Sequence, residues 1–438
     1  MHPGAMTSDV TTVPSDAPRP PRRGLSARAR WAVPVAVGAV VVAGFAAAPL
    51  LADAGSAGLP DITAQQLVTK VLEAKPVPMS GTVVYTARLG LPDISSLGAV
   101  SGTVSPADPI NLLSGSSTLR MWTDGAGRSR VSLLGATSEY SVVHDTTQAW
   151  TYSSKQDAVT HYTLSAADAA KLKAEQQKHA QTPVPGASEL PTPSQAADQA
   201  LSQAQQYSTV TLDSQTTVAG RGAYQLVVTP KTSGTLVAHI VVTVDAATST
   251  PLRVQVWSTD NAKAPALEVG FTDVSFAKPS DAVLSFSAPP GAKVTEKTIA
   301  LPQHTDATKP TPSPTAGALP QNVTVSGTGW ASVVEVRGVK VSALLSGNAA
   351  AAAAAARNLP HPPTAQGQDV VSQFMGGDGT DPSKSGSGLS ASTLYDGLTK
   401  AVPGGRLLSS ALVSVLILDD GRVLAGAVPG TTLQQLAG

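Results

Sequence analysis

The side chains able to do chemistry are few and scattered along this chain of 438 residues. His144, His161 and His239 stand singly on alternating runs, each on the polar side of its run, where an imidazole is a surface group rather than a base or a ligand. No serine sits in a G-x-S-x-G turn and no H-E-x-x-H places two histidines on one helical face. Neither G-x-x-x-x-G-K nor G-x-G-x-x-G offers a cradle for phosphate. Asp378 and Asp381 in "GGDGTDP" lack the spacing and the terminal Glu of a calcium loop. The chain has no cysteine, which removes disulfides, thiolate metal sites, thiol catalysis and a lipid-bearing cysteine. The sequence therefore reads as that of a binding protein, not an enzyme, with no catalytic residues, no metal site and no cofactor.

What the chain does offer is apolar strand surface. Tyr224, Leu226 and Val228 share one face of a first run, Leu236, Ala238, Ile240, Val242 and Val244 of a second, and Leu252, Val254 and Val256 of a third. Gln225, Thr229, His239, Thr243, Arg253 and Gln255 alternate to the other side, which predicts antiparallel strands with one dry face and one wetter face. Further runs at "SGTVVYTARLGLP", "STLRMWTDGAGRSRVSLLG", "SEYSVVHDT", "QAWTYSSK" and "AVTHYTL" form a meander. In it "TDGAGR" is a hairpin turn whose Asp124 and Gly125 tolerate positive φ. Trp122, Trp150, Tyr152 and Phe271 are the large rings available near the dry face, whereas Trp257 alternates onto the wetter one.

Other elements must position these strands. "LPDITAQQLVTKVLEAKPV" predicts one amphipathic helix with Thr63 as N-cap, Gln66 three residues on, and Leu67, Val71 and Leu72 on one face. Two Ala-rich helices interrupt the strands, one from about Ser165 and one after the cap Thr192; Ala196, Ala200 and Leu201 of the second are expected to lie across the mouth of a curved sheet. At the N-terminus, residues 1–30 form a disordered basic cytoplasmic tail and residues 31–52 run without a charge. As a helix that run would reach about 33 Å, enough to cross a hydrocarbon core of roughly 30 Å. It is either a retained transmembrane anchor or a signal peptide cleaved near Ala54, and both place the body outside the cytoplasm. Acidic and basic side chains balance at 30 each, so no global field draws nucleic acid.

The segments "LPDITAQQLVTKVLEAKPVPMSGTVV", "VAGRGAYQLVVTPK", "DAATSTPLRVQVW" and "VGFTDVSFAKPSDAVLSFSAPPGAKV" follow the order helix, meander, helical interruption, second meander. That order resembles the LolA/LolB, RseB and LppX superfamily of extracytoplasmic lipid and lipoprotein binders, and the segments look like its actinobacterial LolA-like branch. The resemblance covers residues 60–300. It implies a mainly β fold with α (α+β), an incomplete antiparallel β-barrel with helices covering its mouth, and an apolar cavity for acyl chains. The cavity set expected on this reading is Trp122, Trp150, Tyr152, Leu226, Val228, Ile240, Val242, Val254, Val256 and Phe271. Either a hydrocarbon ligand completes the burial of the dry face, or the face packs on the helices and on itself.

Residues 301–321 read as a Pro/Thr linker, and residues 346–391 as a low-complexity insertion. Between and after them, 322–345 and 392–438 predict a small C-terminal α/β module, with strands turning at Asp419, Asp420 and Gly421, that either extends the barrel or packs beside it. The function expected is that of a membrane-anchored extracytoplasmic binding protein for a lipid or lipoprotein acyl chain, in carriage or envelope homeostasis. The alternative is an RseB-like regulatory sensor acting through contact with an envelope protein partner.

Overall fold

The computed structural model describes residues 58–92, 105–145, 147–170, 201–202, 204–299, 321–345 and 391–438. The expected anchor at 31–52, the centre of the helical interruption with Ala196 and Ala200, the Pro/Thr linker and nearly all of the low-complexity insertion lie outside these residues. Among the described residues no helix is long and apolar enough to cross a membrane.

Helix α1 (Ala64–Glu73) begins as its sequence predicts. The Thr63 hydroxyl accepts the Gln66 N–H at 3.1 Å, and the Gln66 side chain accepts the Thr63 N–H at 2.8 Å, which satisfies two donors a bare helix end would leave open. The helix stops before Pro76 and Pro78, and Leu67 is its buried anchor.

Two meanders follow. The first is β1 (Met79–Ala87), β2 (Gly115–Thr123), β3 (Arg128–Leu134), β4 (Glu139–Asp145), β5 (Gln148–Ser153) and β6 (Ala158–Leu164). The second is β7 (Ser208–Leu212), β8 (Thr216–Val218), β9 (Arg221–Pro230), β10 (Val237–Asp245), β11 (Pro251–Ser258) and β12 (Leu267–Ser275). They join where β1 pairs with β12, in a 13-stranded sheet of order β13-β6-β5-β4-β3-β2-β1-β12-β11-β10-β9-β7 with β8 on β9. The edges β13 and β7 do not pair, so the sheet is antiparallel-rich and not closed into a barrel.

The chain reaches β13 (Lys293–Ile299) by an unexpected route. After β12 it crosses the first meander through α2 (Asp281–Leu284), which lies over β2, β3 and β4, and then pairs parallel with β6 at the far edge. This strap departs from the all-antiparallel expectation because a parallel partner needs a long return, and residues 276–292 supply it. At the β2–β3 turn Gly125 takes φ 70°, while Asp124 contributes its carboxylate instead of a positive φ, accepting the N–H groups of Ala126, Gly127 and Arg128 at 2.8 to 3.0 Å.

The C-terminal residues form a sheet of their own beside the large one. Strands β14 (Val323–Ser326), β15 (Val333–Val336), β16 (Lys400–Val402), β17 (Gly405–Ser409), β18 (Ser414–Leu418) and β19 (Val423–Gly426) lie in the order β14-β15-β19-β18-β17-β16. Helices α3 (Val341–Leu345), α4 (Ala391–Leu398) and α5 (Gly430–Ala437) complete the module, whose core is Val333, Leu416, Leu424, Val428 and Leu433. It docks on the ends of second-meander strands and on the loop that follows β1. Ala427 O accepts the Leu236 N–H at 2.7 Å, Ser258 Oγ donates to Ala411 O at 2.7 Å, and the Ala411 N–H donates to Leu89 O at 2.7 Å.

Candidate functional site

Strand register assigns every side chain of the large sheet to one of two faces. Ile240 pairs with Val228 and Val256, Val242 with Leu226 and Val254, Val254 with Val269, and Val269 with Tyr85. Val83 pairs with Phe271 and Leu119, and Leu119 with Leu133. These side chains make one continuous apolar face. The dry faces predicted for residues 224 to 256 meet as expected, except at Ala238. A register shift there brings Val237 into the core beside Ile240.

The expected cavity residues divide between the two faces. Leu226, Val228, Ile240, Val242, Val254, Val256 and Phe271 share the apolar face. Trp122, Trp150 and Tyr152 lie on the opposite one, in the cross-strand row Ser80, Trp122, Arg130, Val143, Trp150, His161 and in the row beside it. There the protein itself occupies the rings. Trp122 lies between Arg120 and Arg130, whose guanidinium carbons stand 5.2 and 5.9 Å from its centroid. Trp150 stacks on His161 at 4.8 Å, and Phe286 of the strap closes over Trp150 and Tyr152 at 6.0 and 6.3 Å. His161 is held by Glu296 at 2.8 Å and Gln148 at 2.9 Å. Beside them Glu139 meets Arg130, Ser132 and Ser141. Burial would raise its carboxyl, but the hydrogen bonds of Ser141, Ser132 and Arg130 outweigh that and hold it below the usual carboxylate range. Val143 and Val159 are buried among these groups, so over the first meander this face is covered by the protein itself.

The apolar face is treated differently in its two halves. Over the second meander, Leu67 and Val71 of α1 pack with Leu59 and Ile62 on Tyr224, Val244 and Val242. Trp330, Leu412 and Ala427 of the C-terminal module, with Tyr207, cover Val228, Ile240, Val254 and Val256. Val218, on the β8–β9 hairpin, packs with Leu252 and Phe271. Burial also pushes the Tyr85 phenol above its usual value, the mark of a dry surrounding.

Over the first meander the same face carries the row Gly81, Met121, Val131, Val142. Val131 and Val142 are directly paired and remain 37% and 40% exposed, although both are aliphatic residues in mid-strand. Phe271 marks the boundary between the halves. A Cβ at Gly81 would lie 2.8 Å from its ring and collide with the Asp273 carbonyl, so only glycine allows this approach. Tyr140 and Leu133 are buried beside one end of the strip with Ala107, and His144 stands exposed at the other, 3.0 Å from the Gly127 carbonyl. Met121, Val131 and Val142 were absent from the expected set. Their signal was the alternation of Leu119 and Met121 with Arg120 and Trp122, which already puts Met121 and Trp122 on opposite faces.

Open clefts among the described residues include one of about 510 Å³ among Leu59, Ile62, Leu212 and Tyr224, where the N-terminal segment meets the second meander, and one of about 610 Å³ in the module among Leu416, Leu418, Asp419 and Arg422. Among the described residues no three His, Cys, Asp or Glu side chains gather to hold a metal ion.

No family model matches the chain, and no curated protein matches it. Among solved structures it is similar to the MucA/MucB complex of Pseudomonas aeruginosa, at 16% identity over 85% of this chain and 96% of that one, with a TM-score of 0.37. It is also similar to a LolA superfamily protein of Nitrosomonas europaea, at 12% identity over 52% of this chain and 99% of that one, with a TM-score of 0.20. A third is a putative outer membrane lipoprotein-sorting protein domain from Vibrio parahaemolyticus, at 10% identity over 48% of this chain and 91% of that one, with a TM-score of 0.18.

Proposed function

We propose that this chain is an extracytoplasmic binding protein for a lipid or lipoprotein acyl chain, of the actinobacterial LolA-like branch, held at the membrane by residues 31–52 or released after cleavage near Ala54. The observation that carries the reading is the paired Val131 and Val142, part-exposed beside the half-buried Met121 on a face that the described residues otherwise cover. An acyl chain laid along it would contribute about 0.8 kcal/mol for each methylene buried. Its carrier or homeostatic role needs no catalytic group.

The test is mass spectrometry of the protein purified under mild conditions from a host of its own kind. The reading expects an adduct of lipid mass in the native spectrum that disappears on denaturation. A bare mass, with no uptake of added fatty acid or lipoprotein, contradicts it. A regulatory reading has one observation in its favour: part of this apolar face is already covered by protein, through Trp330. It expects a stable complex with an envelope protein in place of the lipid adduct.

A further inference from the structure

The C-terminal module covers part of the second meander with Trp330, Leu412 and Ala427, of which Trp330 is the one fully in the buried cluster. Trp330 stands on a short 3-10 turn (Gly329–Ala331) between β14 and β15, entered through Gly327 at φ 77° and Gly329 at φ 56°, a backbone course that favours glycine. Its ring is buried in the cluster that also holds Val228, Val237, Ile240, Val254, Val256 and Val269, and its Nε1 donates to Ser208 Oγ at 2.8 Å. The module's own core is a separate cluster around Leu416, Leu424 and Leu433, of which Trp330 is not a member. The polar ties across the boundary are made by loops and strand ends: Leu236 N–H and Thr235 Oγ1 to Ala427 O, Ser258 Oγ to Ala411 O, and Ala411 N–H to Leu89 O. Two bodies with cores of their own meet here through Trp330, Leu412, Ala427 and a few hydrogen bonds, a boundary along which units can move apart.

The surface beneath Trp330 is chemically the same as the open strip and continuous with it through Tyr85, Val83 and Phe271. We infer that Trp330 is a displaceable plug, and that Val228, Ile240, Val254 and Val256 beneath it form a second acyl-chain site that opens when the module undocks. The inference rests on the acyl-binding reading above. Ring and acyl chain compete for one apolar floor, so docking of the module and filling of this site exclude each other, and each weakens the other by the same factor.

The test uses the full chain and a dansyl-labelled long-chain fatty acid. Trp330→Ala should take up a second probe, or bind the probe at least about tenfold more tightly than the unaltered protein, because the competent state no longer has to displace a ring. Ser208→Ala, which removes the acceptor of the indole N–H and leaves the ring in place, should fall between the two. In the unaltered protein, saturating fatty acid should speed hydrogen exchange at the Leu236 and Ala411 amides, whose acceptors lie across the boundary, and leave the β18 amides protected. If Trp330→Ala fails to fold, Ser208→Ala and the exchange measurement decide the matter. Binding by the unaltered protein that neither variant changes, with exchange at Leu236 and Ala411 unaffected, overturns the plug and leaves the proposed function standing. Probe bound by neither the unaltered protein nor Trp330→Ala overturns both.

Discussion

The two meanders present one apolar face and finish it in opposite ways. Over β9 to β12 it is covered by α1, the β8–β9 hairpin and the C-terminal module, so that Val254 is 1% and Val269 1% exposed. Over β3 and β4 its paired Val131 and Val142 are left part-exposed, while the opposite face carries the strap, buried Val143 and Val159, and the Arg130–Glu139 pair. The difference shows that apolar strand composition does not by itself mark a ligand site. On the proposed reading it is marked by apolar surface that the described residues leave part-exposed.

The comparison breaks first where the sealed half is emptied. Phe271→Ala removes the ring at the boundary between the halves and should lower unfolding free energy by about 3–5 kcal/mol in a urea titration, since the ring is fully packed by Val83, Leu252 and Val218. A loss under about 1 kcal/mol would mean that this half is not a close-packed core.

A smaller effect belongs to Asp245, buried at the end of β10. It accepts Arg221 Nε at 2.6 Å and Nη2 at 3.0 Å, and the Thr248 N–H at 2.7 Å. Burial would raise this carboxyl, but Arg221 and Thr248 outweigh burial and hold it below its ordinary value. A folded-state value lower than the unfolded one means that the unfolded chain binds more protons between the two. The contribution is therefore complete above the unfolded value of about 3.9 and is lost as pH falls through the folded value. Asp245→Asn should cost about 2 kcal/mol at pH 7, and that gap should close only on acidification below about pH 4. A gap that closes between pH 6 and 7 would show another group at work.

The β8–β9 hairpin, whose Val218 helps seal the second half, turns through Ala219 at φ 50° and Gly220 at φ 74°. Alanine is strained there, so Ala219→Asn should raise stability by about 0.5–1 kcal/mol, read as a higher melting temperature. The smallest stability effect is expected in the open half. Val142→Glu should change unfolding free energy by no more than about 0.5 kcal/mol, yet weaken fatty-acid binding at least about tenfold, because a carboxylate on the strip must be dehydrated by the chain it meets. Equal binding before and after would remove the strip from the account.

Much of this was legible in the residues. The Val- and Ile-rich runs of the second meander alternate cleanly, so their faces could be read directly, and the Thr63–Gln66 pair announced α1. The aromatic rings were harder to place. Trp122 stands out by size, but Arg120 two residues before it and Arg130 across the strand pair put it on the charged side. The strap left no local trace, because "KVTEKTI" at its end pairs with β6, more than a hundred residues away, and only the assembled sheet offers that edge. Trp330, isolated between two glycines and a strand, gave no period to read, since its partners are the side chains of other strands.

The central claim is that an acyl chain lies on the open half, and photo-crosslinking locates it most directly. A long-chain fatty acid carrying a diazirine near its tail would be bound to the unaltered protein, irradiated, and the labelled peptides mapped. The account predicts label on the segments bearing Met121, Val131 and Val142, diminished by Val142→Glu. Label confined to the strap face around Trp150 and Phe286, or to the C-terminal module, would contradict it.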